Sequence, residues 1–252
     1  MNRILLILCT ALISTPLMRA NPLTMRDVFA TMPDSVLPLV NKYARLICLD
    51  LFENHMKAEA RNTFDEFVEM EALSPDYVRF RTSSASVLEM KLLPLMPLPA
   101  DTLPADTLPA DTVAAAPPFV LCLVTTAESG TAASPLYLAD SNLRFLRPDW
   151  TPLDTALHPE PFALPSVDAF LNATRTQDAP SDTLQALDAA RRALADFHPV
   201  RIDLSPDDLS LTLTLQTAFL PDDERKAIAT RLRTLRLRWQ ERAFVPDMPD
   251  RP

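Results

Sequence analysis

His55, His158 and His198 each stand alone, with no HxxxH or HxH pair, and no run of carboxylates has the spacing of an oxygen-ligand loop. A transition-metal site is built from ligands that converge on one face of a helix or strand. These spacings offer none, so neither a metal nor a cofactor is expected. Gly130 is the single glycine of the chain. Phosphate-cradling loops, dinucleotide crevices and strained nucleophile elbows use glycine where backbone must approach a ligand or take positive φ, so these classes are excluded. Paired carboxylates remain. Glycosidase-type chemistry needs two, held about 5–9 Å apart, and Glu66, Glu69, Glu71 and Glu89 lie close in sequence to Arg79, Arg81 and Lys91. Glu89 and Lys91 are expected to face Arg79 and Arg81 across a hairpin, on its wet side. A cross-strand charge ladder accounts for them without catalysis.

Two cysteines remain beyond the N-terminal apolar run, Cys48 in a helical stretch and Cys122 in a strand-like one, both among apolar neighbours. An oxidising compartment permits a Cys48–Cys122 disulfide if helix packs on sheet. The alternative is two buried thiols acting as small hydrophobes. Neither has the local base or helix-start setting of a nucleophile. Near the C-terminus, Arg231, Arg233, Arg236, Arg238 and Arg242 crowd one stretch of an acidic protein. Arg236 and Arg238 share one strand face, so Arg236, Arg238 and Arg242 form a candidate docking strip for an anionic protein or envelope polysaccharide. Guanidinium forks suit carboxylate, sulfate or phosphate. That reading requires no Asp or Glu beside them. The alternative is a solvated face or charges that guard a sheet edge.

The elements that would position these residues are legible as two periodicities. Thr24 with Asp27 three residues on has capping-box spacing, and residues 24–61 read as helical, broken at Pro33-Asp34-Ser35. Leu46, Leu49, Phe52, Met56 and Ala60 mark the stripe of the longest helix. Strands are expected at Phe64–Met70 and in a hairpin, where Val78 and Phe80 alternate with arginines and Leu88, Met90 and Leu92 with Glu89 and Lys91. Phe119–Val124, apolar on both faces, reads as a covered central strand, and Leu143–Phe145 as another after an Asp140-Ser141-Asn142 turn. Ser181 caps a helix with a Leu184, Leu187, Ala190, Leu194, Phe197 face. Val200–Leu204 and Leu209–Leu215 form a hairpin, Pro221 opens a helix, and Leu235, Leu237 and Trp239 alternate in a last strand. The fold class is α+β: antiparallel sheets with helices packed on one face, in two segments, 21–147 and 181–245. An irregular Pro-rich connection, 148–180, joins them, and a tail covers 246–252.

Composition bounds the setting. Residues 1–20 have a basic start, an apolar run from Ile4 to Ile13 and a small residue at Ala20, the pattern of a cleavable export signal. The run is half the roughly 20 residues a membrane span needs, so no transmembrane segment is expected after cleavage. The net charge of −9 would become more negative on loss of Arg3 and Arg19, a field that disfavours nucleic acid. Leu-Pro-Ala-Asp-Thr occurs in tandem at 98–102, 103–107 and 108–112. One proline every five residues suits neither helix nor ladder, so 96–117 is expected to be an exposed, extended loop.

The runs Met32–Val40, His55–Glu59, Ser86–Pro94 and Asp140–Phe145 through Trp150 resemble a family of exported Bacteroidales proteins, domain-of-unknown-function family 3256. The repeats look like an insertion into that pattern. The resemblance implies export and carries no activity or cofactor. The expectation is an exported periplasmic or envelope protein that binds or scaffolds. Its rival is an envelope hydrolase whose active site is scattered along the chain without a motif.

Overall fold

The computed structural model describes residues 23–95, 119–130, 134, 137–153, 162–171 and 181–247. The signal, the proline repeats and His158 lie outside them. Two short helices come first, α1 (Met25–Thr31) and α2 (Lys42–Glu53). Thr24 caps α1 as its spacing predicts, accepting from the Asp27 amide at 3.3 Å. The segment between them is irregular. Pro33 and Pro38 deny it helical hydrogen bonds, and the buried Arg45 of α2 holds it instead. That guanidinium bonds Asp34 at 2.9 Å and the carbonyls of Val40 and Met32.

The long helix ends sooner than its stripe suggests. Asn54 closes it and His55 takes φ 56°, the left-handed turn that stops a helix. Residues Glu59–Arg61 then form strand β1 rather than more helix. The buried face of α2 is Ala44, Arg45, Cys48 and Leu49, while Leu46 and Met56 are exposed.

A six-stranded antiparallel meander follows: β1, β2 (Phe67–Leu73), β3 (Tyr77–Ser83), β4 (Ser86–Pro94), β5 (Phe119–Ser129) and β6 (Leu138–Leu146), neighbours in chain order. Asp140-Ser141-Asn142, expected as a turn, lies inside β6 opposite Ala127, Thr126 and Thr125. A short 3-10 turn at Val167–Phe170 leads to helix α3 (Ser181–Asp196), strands β7 (Val200–Leu204) and β8 (Ser210–Leu215), helix α4 (Asp222–Ala229), and strands β9 (Leu235–Gln240) and β10 (Ala243–Pro246). The last four strands make a second sheet, ordered β10-β9-β8-β7.

Alternation along β5 assigns the layers. Leu121 and Leu123 pack with Met25, Val28, Phe29, Cys48 and Leu49 of the N-terminal helices. Val120, Cys122 and Val124 join Leu187, Ala190 and Leu194 of α3, Leu211 and Leu213 of β8, and Trp239. The central strand is therefore covered on both faces, and one apolar cluster runs from the first sheet into the C-terminal elements. Trp150 and Phe162 anchor the irregular connection on opposite sides, Trp150 through Nε1–H to the Val28 carbonyl at 3.2 Å.

Candidate functional site

The second sheet meets the first through its edge. The outward N–H groups of β7 find side chains of β6: Val200 donates to Asp140 at 3.3 Å and Ile202 to the Ser141 hydroxyl at 3.0 Å. Beyond β7, the Pro206 carbonyl accepts from Lys91 of β4 at 3.0 Å. The strand thus crosses β6, β5 and β4. Its odd face, Arg201 and Asp203, descends onto the charged residues of the first sheet, while Val200, Ile202 and Leu204 join the apolar cluster.

This crossing overturns the wet-face expectation. Glu89 and Lys91 are 2% and 1% exposed. Glu89 accepts from the Tyr77 hydroxyl at 2.5 Å and from Arg79 at 3.0 Å. Burial holds its carboxyl above the usual range, against the pull of Tyr77 and Arg79. Lys91 pairs with Asp76 at 3.0 Å. Glu71 is brought in by a β-bulge between Met70 and Ala72, which inserts it between the rows of Arg79 and Arg81. It accepts from both Nε groups, each at 2.7 Å. Burial opposes its ionisation, but the two guanidiniums outweigh burial and hold its carboxyl low. Glu128 of β5, its side chain 8% exposed, completes the seam. It accepts from Tyr137 at 2.9 Å and faces Arg81 at 3.3 Å and Arg201 at 3.4 Å; Arg201 also bonds Asp203 at 2.8 Å. Glu66 lies apart, on the amide and hydroxyl of Ser84 at 3.2 and 3.3 Å. The cross-strand ladder is real, with its carboxylates set against guanidiniums in a layer closed by β7. It clamps two sheets together.

Arg236 and Arg238 do project from the exposed face of β9, opposite Leu237 and Trp239. The required absence of carboxylates fails. Arg236 bonds Asp208 at 2.5 Å and faces Asp247 at 3.5 Å; Arg238 faces the other oxygen of Asp247 at 3.4 Å. Asp208 belongs to the β7–β8 turn, and Asp247 is brought alongside by β10, a strand the sequence reading missed. Hydrogen bonding from Ser210 outweighs burial and, with lesser help from Ser205 and Arg236, keeps the Asp208 carboxyl low. Arg242 sits at the β9–β10 turn, its amide on the Gln240 carbonyl at 2.6 Å.

The cysteines are not joined. Cys48 and Cys122 are both free and buried, and they belong to the apolar clusters on opposite faces of the six-stranded sheet. A sheet between two sulfurs forbids the short Cβ separation a disulfide needs. Burial pushes the Cys48 thiol up to about 12, and the Cys122 thiol higher still, so both are small hydrophobes. Among the described residues no three of His, Cys, Asp and Glu gather as metal ligands, and no helix is long and apolar enough to cross a membrane.

The sequence matches a family described as proteins of unknown function (DUF3256) over residues 18–98 and 114–244. The interruption falls on the Leu-Pro-Ala-Asp-Thr repeats, as an insertion would. A solved domain of an uncharacterized protein from Porphyromonas gingivalis W83 is similar in fold at TM-score 0.59 and 22% identity, over 89% of this chain and 98% of that one. No curated protein matches.

Proposed function

We propose that this chain, which belongs to the DUF3256 family, is an exported binding or scaffolding protein of the cell envelope and performs no catalysis. One observation carries the reading. The carboxylates best suited to acid–base chemistry, Glu71, Glu89 and Glu128, are each engaged by arginine or tyrosine beneath or beside β7. A general acid or base needs a free path to a substrate proton. These groups use their hydrogen-bonding capacity to hold two sheets in register.

The test is co-sedimentation of purified residues 21–252 with an insoluble envelope fraction, with soluble fragments in the same tubes followed by mass spectrometry. Retention of the chain with no release of fragments is the expected result. Fragment release that stops in a Glu71→Gln, Glu89→Gln double variant would replace this reading with a hydrolase. Export is tested by cell fractionation, where recovery of uncleaved chain from the cytoplasm would refute it.

A further inference from the structure

We propose that two copies of this chain pair edge to edge through β1, joining their six-stranded sheets across a two-fold axis at Ala60. β1 ends the first sheet, with no strand of the described residues beyond it. An edge of this kind is a template for another strand. The outer edge of the second sheet offers less, because β10 ends in Pro246, which has no N–H to donate.

The backbone of β1 fixes which groups face out. The Met70 amide donates to the Ala58 carbonyl at 3.0 Å and the Asn62 amide to the Glu66 carbonyl at 2.9 Å, with Ala60 opposite Val68 between them. Alternation then turns the backbone of Glu59 and Arg61 away from β2. The Glu59 amide donates to the Lys57 carbonyl at 3.0 Å, and Leu39 closes the edge beyond by accepting from the Thr63 amide at 2.9 Å. The stretch left open is Glu59–Arg61, which offers the Glu59 carbonyl and both backbone groups of Arg61. Only one antiparallel register fits so short a stretch, and it centres on Ala60.

Charge complementarity selects a second copy as the occupant. In that register Glu59 of each copy faces Arg61 of the other, and each Arg61 amide reaches the opposite Glu59 carbonyl. Like charges would guard the edge; opposite charges placed evenly about the axis complement themselves. Within one chain the same groups are poorly matched. Glu59 stands directly across from Glu69, like charge against like, and the Lys57 that answers it at 2.5 Å is 70% exposed. Arg61 lies over the Phe67 ring at 3.6 Å and bonds the Asp65 carbonyl, while the Asp65 carboxylate stands off at 3.8 Å, 89% exposed. Pairing lines up Glu69 and Glu59 with Arg61 and Phe67 of the second copy, in one row that repeats in reverse across the axis. Met56, Phe64 and Phe67, each more than half exposed, flank the strand and supply apolar surface. Each copy spends its one β1 edge, so the assembly closes at two.

The dimer goes beyond the binding reading and does not rest on it, so a monomeric chain would leave the co-sedimentation result standing. Sedimentation equilibrium of purified residues 21–252 is expected to show a monomer–dimer equilibrium with Kd of about 10–100 μM, weak because the strand pair is short. Glu59→Lys makes the edge wholly basic and Arg61→Glu makes it wholly acidic. Either change turns both cross-axis pairs repulsive, and each is expected to weaken self-association about tenfold or more. Mixing the two variants restores complementary pairs, so a heterodimer of about parental affinity should form, which also shows that both variants fold. Should Arg61→Glu fail to fold, Glu59→Lys decides alone. A parent chain that stays monomeric up to about 500 μM, assemblies larger than two, a Glu59→Lys variant that still dimerises, or folded variants that ignore each other on mixing would overturn the proposal.

Discussion

Glu128→Gln removes one charge and leaves the side-chain shape, so it isolates what the carboxylate contributes where the two sheets meet. The side chain is 8% exposed and receives Tyr137, Arg81 and Arg201. Stranding a buried ion typically costs about 3–5 kcal/mol. Neither arginine is stranded here, because Arg81 keeps Glu71 at 2.7 Å and Arg201 keeps Asp203 at 2.8 Å. What is lost is two long charge-assisted contacts, and the new amide turns one acceptor into a donor facing guanidiniums. At the lower end of the range for bonds to charged groups, the loss is about 2 kcal/mol. For a chain of this size that lowers Tm by roughly 4–8 °C. Arg236→Gln is the comparison: its side chain is 52% exposed, and exposed pairs contribute roughly 0–1 kcal/mol. Thermal melts and urea titrations of both variants measure the contrast. If Glu128→Gln melts with the parent chain, or if Arg236→Gln is the more damaging change, the seam is not what holds the sheets together.

Acid should act through Glu71. Its folded pKa is depressed, so its contribution is present above the unfolded value near 4.3 and is lost as pH falls through the lower folded value. Glu71→Gln should therefore flatten the acid limb of a stability–pH profile, and an unchanged limb would contradict the pairing with Arg79 and Arg81. Glu89 has the opposite sign: its folded pKa is raised, so its contribution is full below the unfolded value and lost as pH rises through the folded one. Glu89→Gln should show its smallest penalty at neutral pH, and a penalty that grows with pH would reverse that assignment. Both thiols should resist a thiol reagent until the chain unfolds, and reductant should leave Tm unchanged; fast labelling of the native chain or a reductant-sensitive melt would contradict their burial. Trp239→Phe leaves the Pro94 carbonyl without its 2.8 Å donor and should cost about 1–3 kcal/mol in chemical denaturation; no loss would mean that water replaces the indole.

Period-two patterns were readable wherever a strand kept its alternation. Val78 and Phe80, the faces of Phe119–Val124, and Leu211 and Leu213 all point where their spacing says. Failures have local physical causes. Helix α2 stops because His55 turns left-handed, which nothing in the apolar stripe records. The alternation of β2 shifts at the Glu71 bulge, so Leu73 rather than Ala72 aligns with Val78. Asp140 and Ser141 look like turn formers, yet they are kept in β6 by the β7 amides they receive. The same tertiary contact explains the candidate site. Local pattern pairs Glu89 with Arg79 correctly and cannot say that a strand over a hundred residues away will cover them. Asp247 escaped notice because its proximity to Arg236 and Arg238 depends on β10 folding back along β9.

The edge-on seating of β7 also sets an order of assembly. Each strand of the six-stranded meander pairs with its neighbour in the chain, most of them across short turns, the kind of contact that closes early because little loop entropy is lost. The second sheet depends on partners far upstream: Val200 on Asp140 across 60 residues, Lys91 on Pro206 across 115, and Trp239 on Pro94 across 145. Its edge amides have no protein acceptor until β6 is in place. A chain made from its N-terminus presents that platform first, and the C-terminal hairpin, arriving last, finds its exposed edge already spoken for. The bare edge strand, the form most prone to pairing with a neighbouring molecule, is then open only until it docks on β6.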